Sequence, residues 1–115
     1  MLEKEISKQI VNYLEKERSE GKLTYFVNLE GGRRDVRQQV SLKQQGARPG
    51  RPDLEIFKAG RVVFIELKRA KGGRLSPSQT TEINSLEALG YEVYVVRATD
   101  GVDGIKQVQT ILKGN

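Results

Sequence analysis

Asp53, Glu66 and Lys68 are the residues of this chain whose types and spacing could do chemistry. Asp53-Leu54-Glu55-Ile56-Phe57 and Val62-Val63-Phe64-Ile65-Glu66-Leu67 are rich in β-formers, and Lys58-Ala59-Gly60-Arg61 lies between them. The pair reads as a hairpin with a four-residue loop. Phe57 then pairs with Val62, and Asp53 stands opposite Glu66. Directly opposed residues of an antiparallel pair share a face, with Cβ atoms roughly 5 Å apart. Alternation puts Lys68 on the same face, while Ile65 and Leu67 point to the core. Opposed carboxylates repel, and a divalent cation between them removes the repulsion. Two carboxylates, a backbone carbonyl such as that of Leu67, and waters make an oxygen set that suits octahedral magnesium. A lysine beside the ion can position or deprotonate an attacking water and offset charge on a phosphoryl group. An isolated Glu-x-Lys is usually an ordinary polar pair on a wet strand face. Here Glu66 ends an otherwise apolar strand, and Pro52-Asp53 stands at the matching register.

What the composition lacks narrows the chemistry further. The chain has no Cys and no His. Disulfides and thiolate metal sites are therefore excluded, together with the usual general base and the usual zinc or copper ligand. Catalysis must rest on carboxylates, Lys, Arg or hydroxyls, and any metal on a hard ion such as magnesium or manganese. The net charge of +5 is unevenly spread. Glu30 to Arg74 carries twelve Lys and Arg against five Asp and Glu, or +7, and the remainder eight against ten, or −2. A concentrated basic region is either the footprint of a phosphate-rich partner or a basic soluble surface.

The elements that must position these residues follow from periodicity. Leu2, Ile6, Ile10, Tyr13 and Leu14 predict an amphipathic helix over Leu2–Glu17, ended by Gly21. Leu23–Val27 reads as a strand. Asn28–Arg51 reads as a long basic loop, of the kind that is usually functional, with a short strand or helix around Val36–Leu42. After the hairpin, Ser76 as N-cap, Pro77 at N1 and Gln79 at N3 start a helix whose buried stripe is Ile83, Leu86 and Leu89, with Gly90 as the stop. Tyr91–Val96 is a strand, and Gly101–Lys113 a last helix with Ile105, Val108, Ile111 and Leu112 inward. A strand, a crossover helix and a strand predict a mixed α/β sheet with helices packed on it. With 115 residues, no repeat and no dividing linker, one domain over residues 1–115 is expected. Charges at Met1–Glu5 stand where a signal peptide needs an apolar run, and no stretch is long enough to span a bilayer. The expectation is a cytoplasmic protein without membrane partners.

Pro52-Asp53 followed by Glu66-Leu67-Lys68 resembles the signature of the PD-(D/E)xK nuclease superfamily. The fuller string resembles the VRR-NUC family and its stand-alone phage and bacterial members: Gly50-Arg51-Pro52-Asp53-Leu54, Ile65-Glu66-Leu67-Lys68, Gly73-Arg74-Leu75-Ser76 and Gln79. The resemblance implies a restriction-endonuclease-like fold with an αβββαβ-type core, in a bacterial or phage-infected cell. It implies Asp53 and Glu66 as ligands of Mg2+ or Mn2+, Lys68 as the catalytic lysine, and Gln79 near the active site. There Gln79 would orient the lysine or contact the scissile phosphate, beside its role as a capping-box residue. In such families a first-helix Glu often completes the metal site. Glu3, on the inward stripe, is the better candidate and Glu5, off it, the weaker.

The resemblance further implies hydrolysis of DNA, selective for branched structures such as four-way junctions, by a homodimer. A symmetric junction presents two strands to cut, and a chain of this size carries one site. The alternatives are a nuclease on single strands, flaps or ends, or a non-catalytic nucleic-acid-binding module. Arg48, Arg51, Arg69, Lys71 and Arg74 flank the catalytic elements as phosphate contacts or as solvated surface. Arg33, Arg34 and Arg37 are a second such patch. Gly50, Gly72 and Gly73 serve close backbone approach or turns. Only four Tyr and three Phe are present, and Phe26, Phe57 and Phe64 read as core, so no platform for stacking bases is expected.

Overall fold

Ile6, Ile10 and Leu14 recur at helical spacing and are fully buried, and the helix that carries them, α1, runs from Glu3 to Ser19. Leu2 is its N-cap residue and lies outside the packed stripe, 60% exposed. The chain then forms strand β1 (Thr24–Val27), the hairpin β2 (Leu54–Lys58) and β3 (Arg61–Arg69), helix α2 (Pro77–Ala88), strand β4 (Glu92–Ala98) and helix α3 (Gly101–Lys113). The computed structural model describes residues 1–28, 44–46 and 48–114. The element expected around Val36–Leu42 and the arginines Arg33, Arg34 and Arg37 lie outside them.

The four strands make one mixed sheet in the order β1-β2-β3-β4, antiparallel except for the β3–β4 pair. This is the expected α/β sheet flanked by helices. The hairpin register is the predicted one, Phe57 opposite Val62 and Leu54 opposite Ile65. Its loop is shorter than predicted, because Lys58 and Arg61 also pair and only Ala59 and Gly60 remain in the turn. Tightening a hairpin by one pair at the turn leaves the register untouched, and the same register carried one residue beyond Leu54–Ile65 sets Asp53, just before β2, opposite Glu66.

Alternation divides the sheet into two faces with different tasks. On one face Leu54, Ile56, Val63, Ile65, Leu67, Val96 and Ala98 meet Ile6, Ile10 and Leu14 of α1 and Val108 and Leu112 of α3 in a single apolar cluster. α1 and α3 approach closely at Gly104, where a Cβ would come within 2.8 Å of Ile10 Cδ1. The other face carries Phe26, Glu55, Phe57, Phe64, Glu66 and Lys68. There α2 contributes one buried apolar side chain, Ile83. Leu86 is half-buried, and Leu89 is the C-cap residue, 75% exposed, rather than the last member of a buried stripe. The helix ends at Ala88, so Leu89 has no helical turn to hold it inward. Phe26 also departs from expectation, 61% exposed on the edge strand and edge-to-face with half-buried Phe57. No helix among the described residues is long and apolar enough to cross a membrane.

Candidate active site

Two elements that cross at the end of the sheet build the site. Ser76 caps α2 by accepting from Gln79 N–H at 3.2 Å, and Gln79 Oε1 accepts the Ser76 N–H at 2.8 Å, a complete capping box. Because an N–H holds the amide oxygen, the amide nitrogen must face the other way. It donates to Glu66 Oε2 at 3.0 Å. The helix start thus doubles as a clamp on the carboxylate of β3. Gly50 makes this crossing possible. Its φ is +92°, and a Cβ there would run into the Ser78 carbonyl and lie 2.8 Å from Gln79 N. The Gly50–Pro52 turn therefore lies directly on the first turn of α2 and delivers Asp53 to the start of β2. Arg48 pairs with Glu82 of α2 at 3.2 Å, and Arg51 pairs with Glu55.

Asp53 is half-buried just before β2, its carbonyl accepting from Asn28 N–H at 2.8 Å as the β1 ladder continues past Val27. Its Oδ2 accepts the Leu67 N–H at 2.8 Å. N–H and C=O of one strand residue leave on the same edge, so the Leu67 carbonyl is directed towards the Asp53 side as well.

Glu66 is the one fully buried charged side chain among the described residues, 1% exposed. Its Oε2 lies 3.7 Å from Lys68 Nζ, and its Oε1 is buried with no hydrogen-bond partner. Burial first, then the charge of Asp53 and the hydrogen bond a protonated Glu66 gives that carboxylate, push its carboxyl up to about 8, against the opposing pull of Lys68. The partnerless oxygen is that of the ionised form. Glu3, in the first turn of α1, adds to the rise through its charge, whereas Glu5 is exposed. Among the described residues no three carboxylates converge closely enough to form a metal cluster by themselves. A buried orphan oxygen facing a second carboxylate is nonetheless what a hard cation satisfies, with a carbonyl and waters completing the shell.

Of the residues expected to act together, Asp53, Glu66, Lys68 and Gln79 meet directly, and Glu3 acts from a distance. The amide of Gln79 rests on Glu66 rather than on the lysine. Among the flanking cations, Arg69, Lys71 and Arg74 are exposed, while Arg48 and Arg51 each hold a carboxylate. Gly73 lets the loop after β3 fold back, since a Cβ there would sit 3.0 Å from both Lys68 Cβ and Arg69 N. Nothing in the spacing of the sequence marks Arg97, yet it is the β4 partner of Lys68. Finding it requires the parallel register, which hairpin arithmetic does not supply.

The model of the VRR-NUC domain family matches residues 3–100 of the chain. A solved structure named VRR_NUC domain protein matches with a TM-score of 0.72 at 19% identity, covering 98% of this chain and 89% of its own. A second, named VRR_NUC domain, matches with a TM-score of 0.60 at 21% identity, covering 96% and 94%. At these identities the structural likeness is one of fold. No curated protein matches the chain.

Proposed function

The chain belongs to the VRR-NUC domain family, and from that premise we propose that it is a magnesium- or manganese-dependent endonuclease that hydrolyses DNA phosphodiesters. The observation that carries the reading is the buried, partnerless Oε1 of Glu66 beside Asp53, with Lys68 Nζ 3.7 Å from the other oxygen. Asp53, Glu66 and the Leu67 carbonyl are the protein groups that would hold the cation, with Glu3 adding negative charge from α1. When bound, the cation supplies Lewis acidity towards the phosphate and lowers the pKa of a coordinated water. Gln79 keeps the Glu66 carboxylate in one orientation. The Lys68 ammonium holds the attacking water in line and offsets charge developing on the phosphoryl oxygens. Lys71 and Arg74 meet the flanking phosphates; Arg69 contributes less because it leaves β3 on the face of Ala98, and Arg48 and Arg51 because their charge is locally offset.

The substrate class in this reading is branched DNA such as a four-way junction, cut by a homodimer in the cytoplasm of a bacterial or phage-infected cell. Family membership and the need for two sites on a symmetric junction support it. The test is cleavage of matched single-stranded, duplex, flap and four-way-junction DNA, with magnesium and with EDTA. Junction cleavage that needs magnesium and is lost in Asp53→Ala is the expected result. Cleavage in EDTA, or full activity of Asp53→Ala, overturns the metal site. A preference for flaps or single strands overturns only the substrate.

A further inference from the structure

Arg97 is exposed on β4, in register with Lys68 of β3, and neighbouring strands lie about 4.8 Å apart. Register partners share a face, and Val96 and Ala98 on either side of Arg97 are buried on the opposite one. Arg97 therefore projects on the face of Glu66 and Lys68. Its guanidinium is already aimed, because Nη1 donates to the Gly73 carbonyl at 2.6 Å. The strand beneath is held too, since Gln107 Nε2 of α3 donates to the Arg97 carbonyl at 2.7 Å.

The pattern of ion pairs separates this arginine from most of the others. Arg18, Arg48, Arg51 and Arg61 each grip a carboxylate, Glu15, Glu82, Glu55 and Glu92 in turn. Arg69, Arg74 and Arg97 have no carboxylate partner among the described residues, but Arg69 is the partner of buried Ala98 and leaves β3 on the opposite face, so Arg74 and Arg97 are the two at the Lys68 end of the site. Gly73 brings the loop bearing Arg74 against Lys68. One hydrogen bond to a neutral carbonyl uses one donor of a guanidinium that has five, and leaves its charge uncompensated. Such a fork beside a phosphoryl site matches two oxygens of a phosphodiester.

We propose that Arg97 is a phosphate-binding residue of this site, holding the phosphodiester next to the scissile one on the Lys68 side, with the Gly73 carbonyl fixing its guanidinium. The inference rests on the nuclease reading above, and it adds a β4 residue outside the hairpin that carries the carboxylates. It also gives the substrate a direction, from the Asp53–Glu66 pair across Lys68 towards β4.

The experiment measures binding of a fluorescein-labelled four-way junction and a matched duplex in calcium across a salt series, then cleavage in magnesium. Arg97→Gln is expected to weaken binding of both DNAs about ten-fold and to reduce the salt slope by about one. KM should rise, with kcat changed far less. Arg97→Lys keeps the charge and is expected to restore most of the slope but only part of the affinity, because the fork is lost. A role confined to tying the loop predicts something else: an unchanged slope in Arg97→Gln and a lower melting temperature in both variants. Wild-type protein that binds and cuts while Arg97→Gln matches it in affinity and slope overturns the inference and leaves the nuclease reading intact. Wild-type protein that binds no DNA overturns both.

Discussion

Glu66 holds the most information of any single residue, because burial has made its proton part of the fold. Its folded carboxyl is raised to about 8, whereas an unfolded glutamate titrates near 4.3. Between those values the folded state holds a proton that the unfolded state has released. Stability of the metal-free protein is therefore greatest below the lower value and falls as pH rises through the upper one. In EDTA the melting temperature should drop between pH 5 and pH 8, by on the order of 10 °C. Glu66→Gln should flatten the profile, and magnesium should restore the loss in the wild type. A flat wild-type profile in EDTA would show that Glu66 is not the buried acid described. On the proposed metal site, Asp53→Asn should lower kcat by about 1000-fold or more with the fold intact, because a ligand of the cation would be lost. That these two carboxylates face each other was legible beforehand, since hairpin register is arithmetic once the strands are placed. That Gln79 binds Glu66 was not, because it depends on where α2 crosses the sheet.

At the scale of elements, the site depends on one crossing, the Gly50 turn against the first turn of α2. Gly50→Ala adds a Cβ at a left-handed φ and against the Ser78 carbonyl. It should cost about 1–3 kcal/mol by denaturant unfolding. Activity should fall further than stability, because the displaced helix start carries Gln79. Wild-type kcat in a folded Gly50→Ala would show that the crossing does not set the site. A second element-scale device sits at the far end of β3. Arg61 makes a two-pronged bond to Glu92 at 2.7 and 2.8 Å and also donates to the carbonyl oxygens of Leu112 and Gly114. Glu92 is held down to about 2 by this contact and by Tyr94. Arg61→Ala should destabilise by about 2 kcal/mol, measured by urea unfolding, with cleavage kinetics unchanged at temperatures where the protein is folded. Pattern reading located every described helix and strand to within a few residues. It failed where coverage decides burial: Phe26 is as aromatic as a core residue, but in the described structure it is left exposed on the edge strand.

For the whole molecule the relevant quantity is the charge that faces the substrate. Basic residues are concentrated in the middle of the sequence, but Arg48, Arg51 and Arg61 are consumed internally by Glu82, Glu55 and Glu92. Among the described residues, the salt dependence of DNA binding should therefore come mainly from Lys71, Arg74 and Arg97. Neutralising these three should reduce the slope of log K against log salt by roughly three, at about 0.9 per phosphate contact. The same count for Arg48 and Arg51 should be smaller, and equal losses from both sets would refute the division. Composition revealed the asymmetry of charge; only the ion pairs reveal how much of it is free. The two faces of β3 carry a further consequence. Val63, Ile65 and Leu67 build the core, while Glu66 and Lys68, the proposed acid and lysine of the site, occupy the alternate positions. A single inserted or deleted residue in this strand would shift the pleat by one and exchange the two sets, sending carboxylate and ammonium into the apolar cluster and leucine into the site. Along β3, substitutions should be tolerated or rejected with a period of two and for alternating reasons, whereas any change of length is expected to cost fold and activity at once.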